Sequence, residues 1–239
     1  MNELLLRSIS IDWTAIAADS YLRTIPAIAS ADAVTLHKPV TFFVGENGTG
    51  KSTLLEAAAV ASGFNPEGGS RNYSFSTYDS HSELHSAIRL TTGYRKAKWG
   101  YFLRAESFYN VATAEEEYSK LAPSGPEYYH RHSHGESFML LVQKHFTGNG
   151  LYFLDEPEAA LSPQRQLTLL LEIARCVKAG AQFLIATHSP ILMGYPDAEI
   201  LSFDDGTILP CRYEDTASYQ VTKMFVCDRE QMLKRLEIE

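Results

Sequence analysis

One stretch of eight residues constrains this chain more than any other. Gly45-Glu46-Asn47-Gly48-Thr49-Gly50-Lys51-Ser52 satisfies G-x-x-x-x-G-K-[ST]. Its context is what the motif requires. Val40-Thr41-Phe42-Phe43-Val44 is a β-branched and aromatic run, read as a buried strand. Lys51 to Ser62 is rich in helix formers, with Leu54, Leu55, Ala58 and Ala59 on one stripe. Strand, glycine loop and helix follow in that order. Glycines let consecutive backbone N–H groups curl around an anion without Cβ clashes. The helix aims its positive end at the same anion. Lys51 then reaches the β- and γ-phosphates of a nucleotide, Ser52 ligates Mg²⁺, and Thr53 continues the first helical turn.

Two further apolar runs end in chemistry. Leu151-Tyr152-Phe153-Leu154 delivers Asp155-Glu156. A carboxylate at the C-terminal end of a buried strand is how P-loop enzymes hold Mg²⁺, a role that falls to Asp155. Glu156, one residue on, is placed to polarise the attacking water. Phe183-Leu184-Ile185-Ala186 ends in Thr187-His188. In open α/β sheets ligands bind at such strand ends, so His188 is placed to contact a γ-phosphate oxygen or that water.

The remaining pattern completes an α/β reading with a largely parallel sheet flanked by helices. Gln164 to Lys178 reads as a helix opened by Ser162-Pro163, Ala181 to Ala186 as a strand, and Val221 to Leu236 as a terminal helix. Residues 63–82 read as loop. Ala87–Leu90 and Trp99–Leu103 read as strands around the turn Thr91-Thr92-Gly93. Thr113–Leu121 reads as helix, Ala122–Pro126 as a break, and Phe138–Phe146 as helix. The stretch from about 71 to 149 fits the alternation least well and reads as an inserted mixed or helical lobe. It leaves a core lobe at about 1–70 and 150–239.

Composition narrows the partners. The 239 residues are 45% hydrophobic and 21% charged, which excludes disordered and coiled-coil classes. A net charge of −8 gives nucleic-acid binding no support, although it leaves room for a local basic patch. Three scattered cysteines form no zinc or disulfide pattern. With no signal-like or membrane-length apolar run, the chain is expected to be cytoplasmic and to touch a membrane only through a partner.

Between the two acidic and glycine motifs lies Ser133-His134-Gly135-Glu136. The order P-loop, Ser-x-Gly-Glu, strand-Asp-Glu-Pro, strand-Thr-His resembles ATP-binding-cassette (ABC) ATPases over nearly the whole chain. The usual signature of that family is L-S-G-G-Q. Here His134 replaces the first glycine, and Glu136 replaces the glutamine, as is common in the chromosome-maintenance (SMC) and RecF-like branch. Asp155-Glu156-Pro157-Glu158 is similar to the variant of stand-alone bacterial AAA-domain ATPases, and Ala159-Ala160-Leu161-Ser162 resembles the D-loop of the cassette family, usually Ser-Ala-Leu-Asp. The resemblance implies an ATPase that uses ATP and Mg²⁺ as an ATP-sandwiched homodimer. Ser133, Gly135 and Glu136 would face the nucleotide held by the partner copy, with an unidentified effector protein beyond. Ser133 and Glu136 also fit a helix capping box.

Other positions are read beside these motifs. Glu106, after the strand Trp99–Leu103, is the positional candidate for the metal-sensing Q-loop residue. Tyr21 lies where the family often places its base contact, although core packing is its expected job. His130, His132 and His134 would share a strand face, and they read as the edge of the dimer interface rather than a metal site. Two other readings stay open: a nucleotide-binding subunit of a transporter, and a RecF-like DNA-repair or anti-phage head.

Overall fold

The computed structural model describes residues 3–71, 82–119 and 129–238. Its strands are β1 (Leu6–Ile11), β2 (Ala33–Thr35), β3 (Val40–Val44), β4 (Ile88–Thr92), β5 (Trp99–Arg104), β6 (Gly150–Asp155), β7 (Gln182–Ala186), β8 (Glu199–Ser202) and β9 (Leu209–Pro210). Its helices are α1 (Pro26–Ala29), α2 (Lys51–Ala61), α3 (Leu84–Ala87), α4 (Phe108–Ser119), α5 (His134–His145), α6 (Pro163–Lys178), α7 (Pro190–Met193), α8 (Ala217–Cys227) and α9 (Arg229–Arg235).

Six strands form one sheet in the order β5-β6-β7-β3-β8-β9. All neighbours run parallel except β8 and β9. The central strands β3, β6 and β7 are buried along their whole length. That is why they read as unbroken apolar runs rather than alternating ones. A second sheet, β2-β1-β4, is antiparallel.

Two apolar cores sandwich the large sheet. On one face Phe43, Phe153 and Leu184 meet Leu54, Leu55 and Ala58 of α2 and the inner residues Leu6 and Ile9 of β1. On the other, Phe42, Tyr152, Phe183 and Ile185 meet Phe138 and Leu141 of α5 and Leu169 and Ile173 of α6. Gln182, at the start of β7, is almost fully buried. Its amide oxygen accepts from the Leu5 and Leu6 N–H groups, and its amide nitrogen donates to the Leu6 carbonyl. One side chain thus pins the small sheet to the large one.

Several expectations are corrected. Ala87–Leu90 and Trp99–Leu103 do not flank a hairpin turn. Ala87 ends α3, Thr91 and Thr92 belong to β4, and β4 pairs with β1 while β5 pairs with β6. The expected helix Thr113–Leu121 begins earlier, at Phe108, and Phe138–Phe146 begins at His134. The terminal helix is two helices, parted at Asp228, whose side chain caps α9 through the Gln231 N–H. The expected break at Ala122–Pro126 and residues 72–81 of the expected 63–82 loop lie outside the described residues. Among the described residues no helix is long and apolar enough to cross a membrane.

Candidate active site

Strands β6, β7 and β3 are neighbours, so their C-terminal ends bring three loops side by side. After β3, residues Gly45, Gly48 and Gly50 all take positive φ. Gly50 has φ +99°, and a Cβ there would stand 2.6 Å from Ile28 and 2.9 Å from Ile25. Only glycine both adopts that backbone and lets the loop lie on α1. Thr49 donates its hydroxyl to the Glu46 carbonyl at 2.8 Å, and the Glu46 N–H donates to Asp204 Oδ1 at 2.7 Å. Glu46, Asn47 and Gly48 form the exposed rim of the loop.

Lys51 is only 4% exposed. Its Nζ donates to the carbonyls of Gly45 at 2.7 Å and Glu46 at 2.8 Å, folded back along the loop that it closes. Burial lowers its pKa, because the charged form is desolvated. The carboxylates of Glu156, Asp204, Asp155 and Glu46 pull the other way. The next residue, Ser52, donates its hydroxyl to Asp155 Oδ1 at 2.7 Å. Thr53 is half-buried on the same turn.

Asp155 is the last residue of β6 and is 6% exposed. Burial pushes its carboxyl up to about 6, against the opposing pull of the Ser52 hydrogen bond and the Arg104 charge. Arg104 Nε lies 3.5 Å from Asp155 Oδ2, and its Nη1 donates to Glu56 Oε2 at 2.6 Å.

Glu156 turns the chain sharply out of the strand with φ +49° and ψ +49°. Its N–H donates to the Ala186 carbonyl, which locks the turn to β7 and leaves its carboxylate half-exposed. His188 Nε2 stands 3.9 Å from Glu156 Oε1 and has no hydrogen-bond partner among the described residues, although the atom is shielded from solvent. A ring nitrogen so placed can serve a group that arrives between the two loops.

Glu158 was quoted in the sequence only as part of an acidic motif, and it carries structural weight. Its Oε2 accepts from the Thr187 hydroxyl at 2.7 Å, and its Oε1 accepts from the His188 N–H. The second glutamate of Asp-Glu-Pro-Glu therefore holds the backbone that presents His188. The signal was present in the sequence as a second acid at fixed spacing from the first. What was missing was the knowledge that β6 and β7 are adjacent.

The other predicted residues lie apart from this cluster. The Glu106 side chain is 85% exposed, with Arg104 Nη2 at 3.7 Å. Ser133 caps α5, and Glu136 Oε2 accepts from the Ser133 N–H at 3.0 Å and hydroxyl at 2.7 Å. Those bonds, with Arg165 nearby, lower the Glu136 pKa. A Cβ on Gly135 would stand 2.6 Å from Arg165 Nη1 and 3.0 Å from the Ala160 carbonyl oxygen. Among the described residues no hydrogen bond joins Ser133, Gly135 or Glu136 to residues 45–53.

Tyr21 is 54% exposed on a short 3₁₀ turn, so it does not pack in the core as expected. The histidines do not share a strand face. Residues 129–131 form a 3₁₀ turn, and His134 opens α5 against the rings of Phe108 and Tyr109. The His130 side chain lies outside what is described.

The family model described as "AAA domain" matches residues 25–126. A second, described as "AAA domain, putative AbiEii toxin, Type IV TA system", matches residues 137–194. No curated protein matches the chain by sequence. Among solved structures, the chain is similar to cbiO1 from Clostridium perfringens, part of the ABC transporter complex cbiONQ. The identity is 13%, the TM-score 0.50, and the match covers 98% of this chain and 99% of that one. It is also similar to MJ1267, an ATP-binding cassette of an ABC transporter, at 18% identity and TM-score 0.50, over 98% of each chain. The chain has the P-loop fold of the ABC type.

Proposed function

We propose that this chain binds ATP with Mg²⁺ and hydrolyses it to ADP and phosphate. The observation that carries the reading is the convergence of Lys51, the Ser52–Asp155 pair, Glu156 and His188 at the C-terminal ends of three adjacent strands. In such a site catalysis is positioning and charge neutralisation. Lys51 and the loop N–H groups would hold the β- and γ-phosphates. Ser52 and Asp155 are hard oxygen donors 2.7 Å apart, one of them a buried carboxylate, and this donor chemistry suits Mg²⁺. The ion would neutralise charge that builds on the phosphates. Glu156 would accept a proton from the attacking water, and His188 would orient it.

The exposed Tyr21 and Glu106 enter this proposal as the base contact and the metal-sensing residue. Ser133 and Gly135, which make no hydrogen bond to their own chain's loop, would serve a second copy's nucleotide, so that two ATPs join a homodimer. On this reading the inserted lobe, about 71–149, carries the signature on α5, while β4 and β5 tie that stretch into the two sheets. The setting would be cytoplasmic.

The test is Glu156→Gln. Turnover should collapse by roughly 10²–10⁴-fold while ATP affinity stays at the wild-type value. Normal turnover would place the base elsewhere, with Glu106 the first suspect. A transporter subunit is the second reading, favoured by the transporter cassettes among the structural neighbours. Recovery of a membrane protein with the ATP-trapped Glu156→Gln chain would establish it, and DNA-stimulated turnover would instead favour a RecF-like head.

A further inference from the structure

At the far end of α2 from the glycine loop lies a half-open cavity of about 340 Å³. Buried Leu5, Leu6 and Leu151 line its inner wall, and Arg71, Arg95 and Lys96 also line it. Among the described residues no carboxylate does. In a protein of net charge −8, three cations around one cavity with no acid among its described lining residues are not what an average surface supplies.

Among the described residues these cations are also not engaged in ion pairs. Arg71 rests its guanidinium over the Phe64 ring at 5.1 Å. Arg95 is held in place by one hydrogen bond, from its Nη2 to the Asn149 side-chain oxygen at 2.7 Å, and keeps its remaining donors. Lys96 is exposed. The C-terminal end of α2, Ala61 and Ser62, also lines the cavity. Its helix dipole contributes roughly half a negative charge, far less than three cations. An aliphatic wall with a cationic lining is complementary to a molecule that is apolar at one end and anionic at the other.

We propose that this cavity is a binding site for a small amphipathic organic anion, a carboxylate, sulfonate or phosphate with an apolar body. It is separate from the glycine-loop site and does not depend on the ATPase reading. Two elements run from one site to the other. α2 starts at Lys51 and ends at the cavity, and β6 passes beside it at Leu151 and ends at Asp155. An occupant therefore touches the same two elements that carry the phosphate loop and the buried carboxylate.

The experiment uses 8-anilinonaphthalene-1-sulfonate as probe on the full chain, followed by fluorescence and calorimetry. N-phenyl-1-naphthylamine, which keeps the rings and lacks the sulfonate, is the neutral comparison. One saturable sulfonate site per chain is expected. Arg71→Gln with Lys96→Gln should weaken it by at least about tenfold, and the exposed Lys96→Glu alone should weaken it in the same direction. Val226→Glu, in a separate apolar groove on α8, should leave it unchanged. Wild-type unfolding midpoints in these variants show that the fold is kept. The proposal is overturned if the double variant binds within about threefold of wild type, or if the neutral analogue binds the same site as tightly. It is also overturned if a single-stranded oligonucleotide displaces the dye through Arg71 and Lys96, which would make the patch a nucleic-acid contact.

Discussion

Lys51 and Asp155 are both buried charges, and the nucleotide-free protein treats them differently. Lys51 satisfies its ammonium with two loop carbonyls, so the loop is already closed around the position a phosphate would take. Lys51→Ala removes the cation and both of those bonds. ATP affinity should fall by at least about a hundredfold in an equilibrium titration, since a charge-assisted contact to phosphate is lost with nothing in reach to replace it. An affinity within about threefold of wild type would sink the assignment of this loop. Asp155 has only the Ser52 hydroxyl and the Arg104 guanidinium against its desolvation, and its carboxyl rises from 3.8 to about 6. The folded state then binds this proton more tightly than the unfolded state does. The contribution of the group to stability is best below about pH 4, declines between about 4 and 6, and stays low above that. At 1.36 kcal/mol per unit the loss is at most ~3 kcal/mol. Asp155→Asn should therefore raise the urea midpoint of the nucleotide-free protein at pH 7 but not at pH 4, and should weaken Mg²⁺-dependent ATP binding. Equal midpoints for the two proteins at both pH values would mean that the carboxylate is not strained by burial.

At the scale of elements, the site is made by strand ends, and this decides what was legible. Asp155, Glu156 and His188 were readable because each strand is a local apolar run and its chemistry sits one or two residues past the end. Glu158 was not, because its partners Thr187 and His188 lie just past the end of another strand, and the β6–β7 pairing brings them within reach. The small sheet was missed for a related reason. β1 reads Leu-Arg-Ser-Ile-Ser-Ile, and a register shift between Leu6 and Ser8 breaks the period of two that marks a half-buried strand. Its partners lie in separate segments, so no hairpin signal announces them. Tyr21 was misplaced because an aromatic side chain suits either a core or a ligand face, and composition cannot choose. The Glu158 contacts give a prediction at this scale. Glu158→Ala leaves the Thr187 hydroxyl and the His188 N–H without acceptors, which costs about 1–3 kcal/mol and frees the loop. Turnover should drop while ATP affinity holds, because Glu158 makes no hydrogen bond to the phosphate loop. Unchanged turnover would show that His188 does not need its backbone fixed.

For the whole molecule the open surface is the one around Ser133. Ser133 is exposed and Gly135 is buried against Arg165 and Ala160, so α5 starts where the signature meets the segment after β6. The first turn of a helix has unpaired N–H groups and the positive end of a dipole. Among the described residues no hydrogen bond joins that end to its own chain's phosphate loop. A second copy related by a twofold axis can supply it, and each interface would then hold two nucleotides. Closure should depend on the γ-phosphate, because the partner's donors would meet that group and not the adenosine. Light scattering of Glu156→Gln should show a dimer with ATP and Mg²⁺ and a monomer with ADP. Ser133→Arg changes an exposed position, so the fold and monomer binding of ATP should survive. The added side chain would occupy the contact itself, close to Arg165, and the dimer should be lost along with turnover. If Ser133→Arg dimerises and hydrolyses ATP as the wild type does, then Ser133 and Glu136 are a helix cap and nothing more, and the two-copy mechanism fails while the assignment of the glycine loop stands.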